Sequence, residues 1–159
     1  MFLVGTLAMW ASINSAHAYT IVGQVVGVHD GDTITLLDTS RSRHKIRLDG
    51  IDAPELGQPF GRSAKTTLAT LVVHREVSAD CGKSDRYGRE ICRVLIDGVD
   101  AGGEMLRAGM AWFYKRYARE LPLNRRSHYA ELEGIAQSER RGLWSDPHPV
   151  PPWQWRKKS

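Results

Sequence analysis

Several things are scarce or missing in this sequence, and each absence narrows the possibilities. Only two cysteines occur, Cys81 and Cys92, with no histidine beside either, which argues against a structural zinc site. The six histidines are scattered and fall into no catalytic pattern; His29 reads as a strand-end residue. No apolar run approaches the roughly 20 residues that a membrane-spanning helix needs. No internal repeat, linker or second domain is visible, so 159 residues form one domain. A domain of that size buries roughly two-thirds of its unfolded surface and needs no covalent staple. Acidic excess is also lacking. The formal net charge is +4 and the isoelectric point about 9.3, a balance that favours polyanions through counterion release.

Met1 to Ala18 reads as a targeting segment. Phe2 to Ala11 is an apolar run of signal-peptide length, and Ala16, His17 and Ala18 form a small-x-small cleavage pattern. The run departs from the usual pattern in having no lysine or arginine ahead of it. The expected plan is a signal peptide over 1–18, a main domain over 19–145 and a tail rich in proline and tryptophan over 146–159. Export to the periplasm or the medium follows, and there Cys81 and Cys92 are expected to pair as a disulfide rather than stay as thiols.

Hydrophobic periodicity predicts strands over Thr20–Val28, Thr33–Leu37, His44–Leu48, Arg75–Ala79 and Arg89–Ile96. Gly23 and Gly27 suggest bulges or sharp bending in the first of them. Helices are expected over about Gly61–His74, with Ala64, Leu68, Leu71 and Val72 on one face, and over Asp100–Ala108. A third is expected over Asn124–Arg140, with Asn124 as N-cap and Tyr129, Leu132, Ile135 and Ala136 as its apolar stripe. The tail is expected to be extended, with Trp153 and Trp155 lying over the surface. These signals by themselves give an α+β domain with an antiparallel sheet.

Chemistry concentrates between Asp30 and Glu55. Gly31 permits a tight turn after Asp30, and Asp32 opens the following strand. Ala53 precedes Pro54 and is therefore extended, so Asp52, the Ala53 carbonyl and Glu55 sit on one stiff segment. If the strands pair, Asp32 meets that segment. Two carboxylates, a main-chain carbonyl and water suit a hard cation such as Ca²⁺, bound at about 2.3–2.6 Å; the same set admits Mg²⁺ or Mn²⁺. Asp30 and Asp49 read as turn or support residues. Asp85, Arg86, Tyr87, Gly88 and Arg89 form a second group at a hairpin tip. Two arginines, a metal and a spare carboxylate are equipment for attacking a phosphodiester.

Asp30-Gly31-Asp32-Thr33, then Arg47 with Asp52-Ala53-Pro54-Glu55, then Asp85-Arg86-Tyr87-Gly88-Arg89, in this order and spacing, resemble the staphylococcal nuclease (thermonuclease) family. The likeness runs from about Tyr19 to Trp144. It implies an α+β fold built on a five-stranded oligonucleotide-binding (OB) barrel with three helices. It also implies a Ca²⁺-dependent nuclease acting on DNA and RNA with little sequence preference and leaving 3′-phosphate ends. Asp32, Asp52 and Ala53 would hold the metal. Arg47, Glu55 and Arg89 would be catalytic, with Glu55 acting on the attacking water. Arg86 and Tyr87 would contact substrate phosphate; the family usually has lysine where Arg86 stands, and often threonine where Ala53 stands. The family also has a substrate-side tyrosine near the aromatic and basic run Trp112–Tyr117, where an ungapped count lands on Lys115, with Tyr114 and Tyr117 beside it. Core packing is the competing reading of that run. The competing reading of the whole chain is a non-catalytic OB-type nucleic-acid-binding module; retention of all five acids and arginines disfavours it. No protein partner and no membrane association after signal cleavage are expected.

Overall fold

In the computed structural model, which describes residues 18–158, five strands close into a barrel. They are β1 (Tyr19–Val28), β2 (Thr33–Asp38), β3 (Arg43–Leu48), β5 (Glu76–Ser84) and β6 (Glu90–Ile96). Neighbours pair antiparallel in the order β3-β2-β1-β5-β6, and a parallel pairing of β3 with β6 closes the ring, with Arg47 opposite Ile91 and Leu48 opposite Cys92. Side chains that alternate inward fill it: Ile21, Val25, Ile34, Leu36, Ile46, Leu48, Val77, Ala79 and Val94 are all buried. The period-2 pattern of the sequence is this alternation. The expected α+β barrel is therefore present. Of the targeting segment expected over 1–18, all but Ala18 lies outside the described residues.

Short elements bolt the helices to the barrel. β4 (Ile51–Asp52) pairs with β8 (Trp112–Phe113), and β7 (Val99–Asp100) extends the sheet beside β6. α1 (Gly61–Val72) buries Ala64, Leu68 and Val72; it stops two residues before the expected end because His74 takes a left-handed conformation. α2 (Ala101–Arg107) begins after Asp100, whose carboxylate accepts from the N–H groups of Gly102 (3.0 Å) and Gly103 (3.4 Å) and satisfies the open helix end. α3 (Leu123–Ser138) lies against α2.

Five expectations need correction. Strand β5 runs on to Ser84 rather than stopping at Ala79, because a bulge between Cys81 and Lys83 absorbs Gly82. The bulge in β1 falls between Val25 and Gly27, whereas Gly23 is glycine because a side chain there would strike Leu36 and Leu37. Helix α3 starts at Leu123 after the extended Pro122, so Asn124 lies inside it and does not cap it. In its stripe Ile135 points outward while Glu133 is buried. Last, the tail is not wholly extended: Pro152–Trp155 form a single helical turn, α4, with proline at its first position.

Cys81 and Cys92 face each other across β5 and β6 and are disulfide-bonded. In the chain-entropy model such a short closed loop contributes roughly 2–3 kcal/mol. Nearer the barrel edge, His44 is held on both ring nitrogens, Nε2 to Asp38 at 3.0 Å and Nδ1 to Glu90 at 3.1 Å. The Asp38 carboxylate above all raises the His44 pKa above its ordinary 6.5. A raised folded-state value means stability that is full below about 6.5 and lost as pH rises through the folded pKa. The urea midpoint of the wild type is therefore expected to fall as pH rises above about 6.5, and His44→Gln should flatten that slope. An unchanged slope in the variant would assign the pH dependence elsewhere.

Candidate active site

Asp32 is placed by the hairpin joining β1 and β2. Its main-chain carbonyl accepts from Leu48 N–H at 2.8 Å, and its N–H donates to Asp30 Oδ1 at 3.0 Å. Gly31 is not needed for a left-handed turn; a Cβ there would lie 2.6 Å from the Ala53 Cβ and 2.7 Å from the Ala64 Cβ. The missing side chain lets the turn pack flat against the Ala53 segment and α1, which brings Asp32 to Asp52. Ala53 N–H then donates to Asp32 Oδ2 at 2.9 Å. Asp52 is fixed from another side by the pairing of β4 with β8, opposite Trp112.

Both carboxylates are buried, with 6% exposure for Asp32 and 1% for Asp52. They converge on one cation: Nη2 of Arg47 lies 3.3 Å from Asp32 Oδ2 and 2.9 Å from Asp52 Oδ1. Burial pulls the Arg47 pKa down, but the charges of Asp32 and Asp52 outweigh it and hold it above its ordinary value. Burial raises the Asp52 pKa despite the nearby guanidiniums. Burial and the charge of Asp32 push Asp30 up to about 6. Asp49 points away to Arg125 on α3, so it supports the helix rather than the site.

Glu55 follows Pro54 on the same segment, in a turn where Gln58 N–H donates to the Glu55 carbonyl at 2.8 Å. Its carboxylate is half-exposed and faces the cleft. Across that cleft, the β5–β6 hairpin is organised by Asp85. Its carboxylate accepts from Tyr87 N–H (2.9 Å), Arg89 N–H (3.0 Å) and Arg89 Nε (2.7 Å), and Gly88 supplies the positive φ at the tip. Partial burial works the other way, but these donors hold Asp85 below the usual carboxylate range. Arg86 donates to the Tyr87 hydroxyl at 2.6 Å, and Arg89 stands over the same ring.

The 3₁₀ turn Lys115–Glu120 after β8 forms the third wall. Tyr114 packs edge-on against Tyr117 and under Arg47. Lys115 is tied at 3.2 Å to the buried Glu133, whose other oxygen accepts from Phe113 N–H. All the residues singled out from the sequence line one open cleft: Asp32, Arg47, Asp52, Ala53 and Glu55 on its floor, Arg86, Tyr87 and Arg89 on one side, Tyr114, Lys115 and Tyr117 on the other. Its volume, about 1660 Å³, exceeds that of a small-ligand pocket, and basic side chains outnumber acidic ones along it.

Sequence reasoning missed Arg156. It follows α4 and reaches back to the floor, with Nη2 2.8 Å from Asp52 Oδ2 and Nη1 3.2 Å from Asp52 Oδ1 and 2.7 Å from Glu55 Oε1. Bonding to Asp52 and then to Glu55 raises its pKa above the ordinary value. In the sequence it begins Arg156-Lys157-Lys158, which looks like a solvated charge run. The usable signal was Trp153: its ring stacks on Tyr114 (5.4 Å between centroids, 11° between planes) and meets Trp112 edge-on, anchoring the tail on the cleft wall.

Do these groups suit a divalent cation? Asp32 and Asp52 already converge on a positive charge, and both are oxygen donors of the kind calcium takes. No group of three or more His, Cys, Asp or Glu side chains forms a ready cage among the described residues. The set is two carboxylates, to be completed by main chain and water, and it fits on those terms.

A barrel of this topology, with buried carboxylates, arginines and a basic cleft wide enough for a polymer, defines a nuclease of the OB-barrel class. Residues 45–146 match the family model described as staphylococcal nuclease homologue. An uncharacterized endonuclease of Escherichia coli O157:H7 is 43% identical over 141 residues, covering 87% of this chain and 86% of the relative. A micrococcal nuclease of Shigella flexneri is 40% identical over 146 residues (86% and 81%), and an uncharacterized endonuclease of Haemophilus influenzae 38% identical over 135 (85% and 72%). The chain belongs to the staphylococcal nuclease family. The helix that carries Arg156 to the site lies beyond the residues matched by the family model.

Proposed function

We propose that the protein is an exported, Ca²⁺-dependent nuclease that hydrolyses DNA and RNA with little sequence preference and leaves 3′-phosphate ends. The observation that carries this reading is the convergence of Asp32 and Asp52 on one cationic atom, with Glu55 beside them in the basic cleft. Export is supported by the segment ending at Ala18 and by the Cys81–Cys92 disulfide.

Asp32 and Asp52, with the Ala53 carbonyl, would hold the metal. Calcium bound there would act as a Lewis acid toward a phosphoryl oxygen and offset the carboxylate charge. Glu55 accepts a proton from the attacking water as its oxygen bonds to phosphorus. Arg47 and Arg89 meet the charge that builds on the phosphoryl oxygens, for which a planar fork suits better than a point charge. The bond to the 5′ oxygen breaks and that oxygen takes up a proton, leaving phosphate on the 3′ side. Arg86 and Tyr87 at the exposed hairpin tip would hold flanking phosphates, and Tyr114 and Tyr117 on the opposite wall would contact bases.

Incubation of plasmid DNA and of RNA with the purified chain, in Ca²⁺ and in chelator, tests the reading. Degradation in Ca²⁺ alone, with 3′-phosphate ends, is the expected result; retardation of intact nucleic acid without cleavage would favour the binding-module reading. Asp32→Asn and Asp52→Asn each remove a full negative charge from the floor. Both should raise the Ca²⁺ concentration for half-maximal activity, because ligand charge sets affinity. Calcium titrations that overlay the wild type in both variants would remove these residues from the ligand set.

A further inference from the structure

Three carboxylates and two guanidiniums share the floor of the cleft, and the guanidiniums are held differently. Arg47 is buried, its side chain 13% exposed, and is shared between Asp32 and Asp52. Arg156 is 42% exposed at the end of a one-turn helix, and it forks across both oxygens of Asp52 and one of Glu55. A divalent cation on Asp52 needs the oxygens that Arg156 holds. Charge points the same way: a divalent cation and the Arg156 guanidinium would repel each other across the oxygens of one carboxylate, that of Asp52, which is almost wholly buried. Arg156 can leave at small cost, since its side chain is already half in solvent; Arg47 cannot.

We propose that the C-terminal helix is a cation-operated latch: Arg156 closes over Asp52 and Glu55, and a divalent cation displaces it and opens the cleft floor. This rests on the calcium reading above. The tail has a hinge and an anchor suited to the task. Gln58 Nε2 donates to the Val150 carbonyl at 2.5 Å and pins the chain ahead of α4, and Trp153 rests on Tyr114 by ring stacking. The chain ahead of α4 stays pinned at Val150, and opening frees Arg156 at the expense of the Trp153 ring contacts with Tyr114 and Trp112. By linkage, what calcium takes from the tail contact, the tail contact takes from calcium affinity.

The test is a calorimetric Ca²⁺ titration of the full chain, with hydrogen–deuterium exchange of residues 147–158 in chelator and in Ca²⁺. Arg156→Ala should bind Ca²⁺ more tightly, by about tenfold within the roughly 5–150-fold range of coupled sites, and Arg156→Lys by less. Trp153→Ala, which touches none of the carboxylates, should also tighten binding by loosening the tail. In the wild type, Ca²⁺ should speed exchange in 147–158. Equal or weaker Ca²⁺ binding by Arg156→Ala, or exchange in the tail that Ca²⁺ leaves unchanged, would overturn the latch alone. No Ca²⁺ binding by the wild type would overturn the latch and the calcium reading together.

Discussion

Glu55→Gln is expected to lower kcat by about 10²–10⁴-fold, the usual worth of a general base, while single-stranded DNA affinity stays near the wild-type value. The geometry makes this substitution clean. Glu55 is set by a backbone turn with Gln58 rather than by its own side chain, so the main chain should not move. Its Oε1 accepts from Arg156 at 2.7 Å, and the glutamine oxygen can accept the same bond. What is lost is the capacity to take a proton from water. Because binding contacts are kept, kcat and kcat/KM should fall together. Arg89→Lys should lower kcat by a similar order for another reason: lysine keeps the charge but not the fork, and it cannot keep the bond that Arg89 Nε makes to Asp85. The double variant should fall short of the product of the two effects, since both act on one transition state. Wild-type turnover in Glu55→Gln would remove the proposed mechanism even with fold and metal site intact.

Arg47→Met is expected to cost about 3 kcal/mol of unfolding free energy in chelator, the low end of the penalty for breaking a buried ion pair, since Asp32 loses its guanidinium while Asp52 keeps Arg156. Asp32 and Asp52 lie too deep for water to replace the guanidinium. Three readouts distinguish this from a simple packing loss. Calcium should restore stability as it binds, by about 2.7 kcal/mol at a hundred times its Kd. Acid should restore it as well. Without Arg47 the folded pKa of Asp52, which burial already raises, climbs further above the unfolded value near 3.9, so stability is regained below that value and lost as pH rises through the raised one. Turnover should also stay low in saturating calcium, because the phosphate contact is gone. Urea unfolding across pH, with and without Ca²⁺, checks the first two, and a nuclease assay in saturating Ca²⁺ checks the third. A wild-type midpoint in chelator would show that the two carboxylates do not depend on Arg47.

The sequence alone singled out the acids and arginines of the floor and the frame that carries them. Alternation marks the five barrel strands because a strand repeats every two residues. Pro54 stiffens the segment bearing Asp52 and Glu55 through local sterics, and the turn that presents Arg86, Tyr87 and Arg89 is a local hairpin. Such features depend on near neighbours in the chain, so a linear reading captures them. Tertiary structure decided what depends on distant pairing. Closure of the barrel by parallel β3 and β6, and the pairing of Asp52 with Trp112 across β4 and β8, join residues far apart in sequence. Gly31 was legible as a turn glycine, yet its necessity comes from Ala53 and Ala64 packed against it. Glu133 lies outside the apolar stripe read from the sequence, yet it is buried, where its carboxylate accepts from the Phe113 main-chain N–H. Arg156 was the least legible of all. An arginine in a terminal basic run carries no local sign of a partner, and only the stacking of Trp153 on Tyr114 brings it more than a hundred positions back in the chain to Asp52 and Glu55.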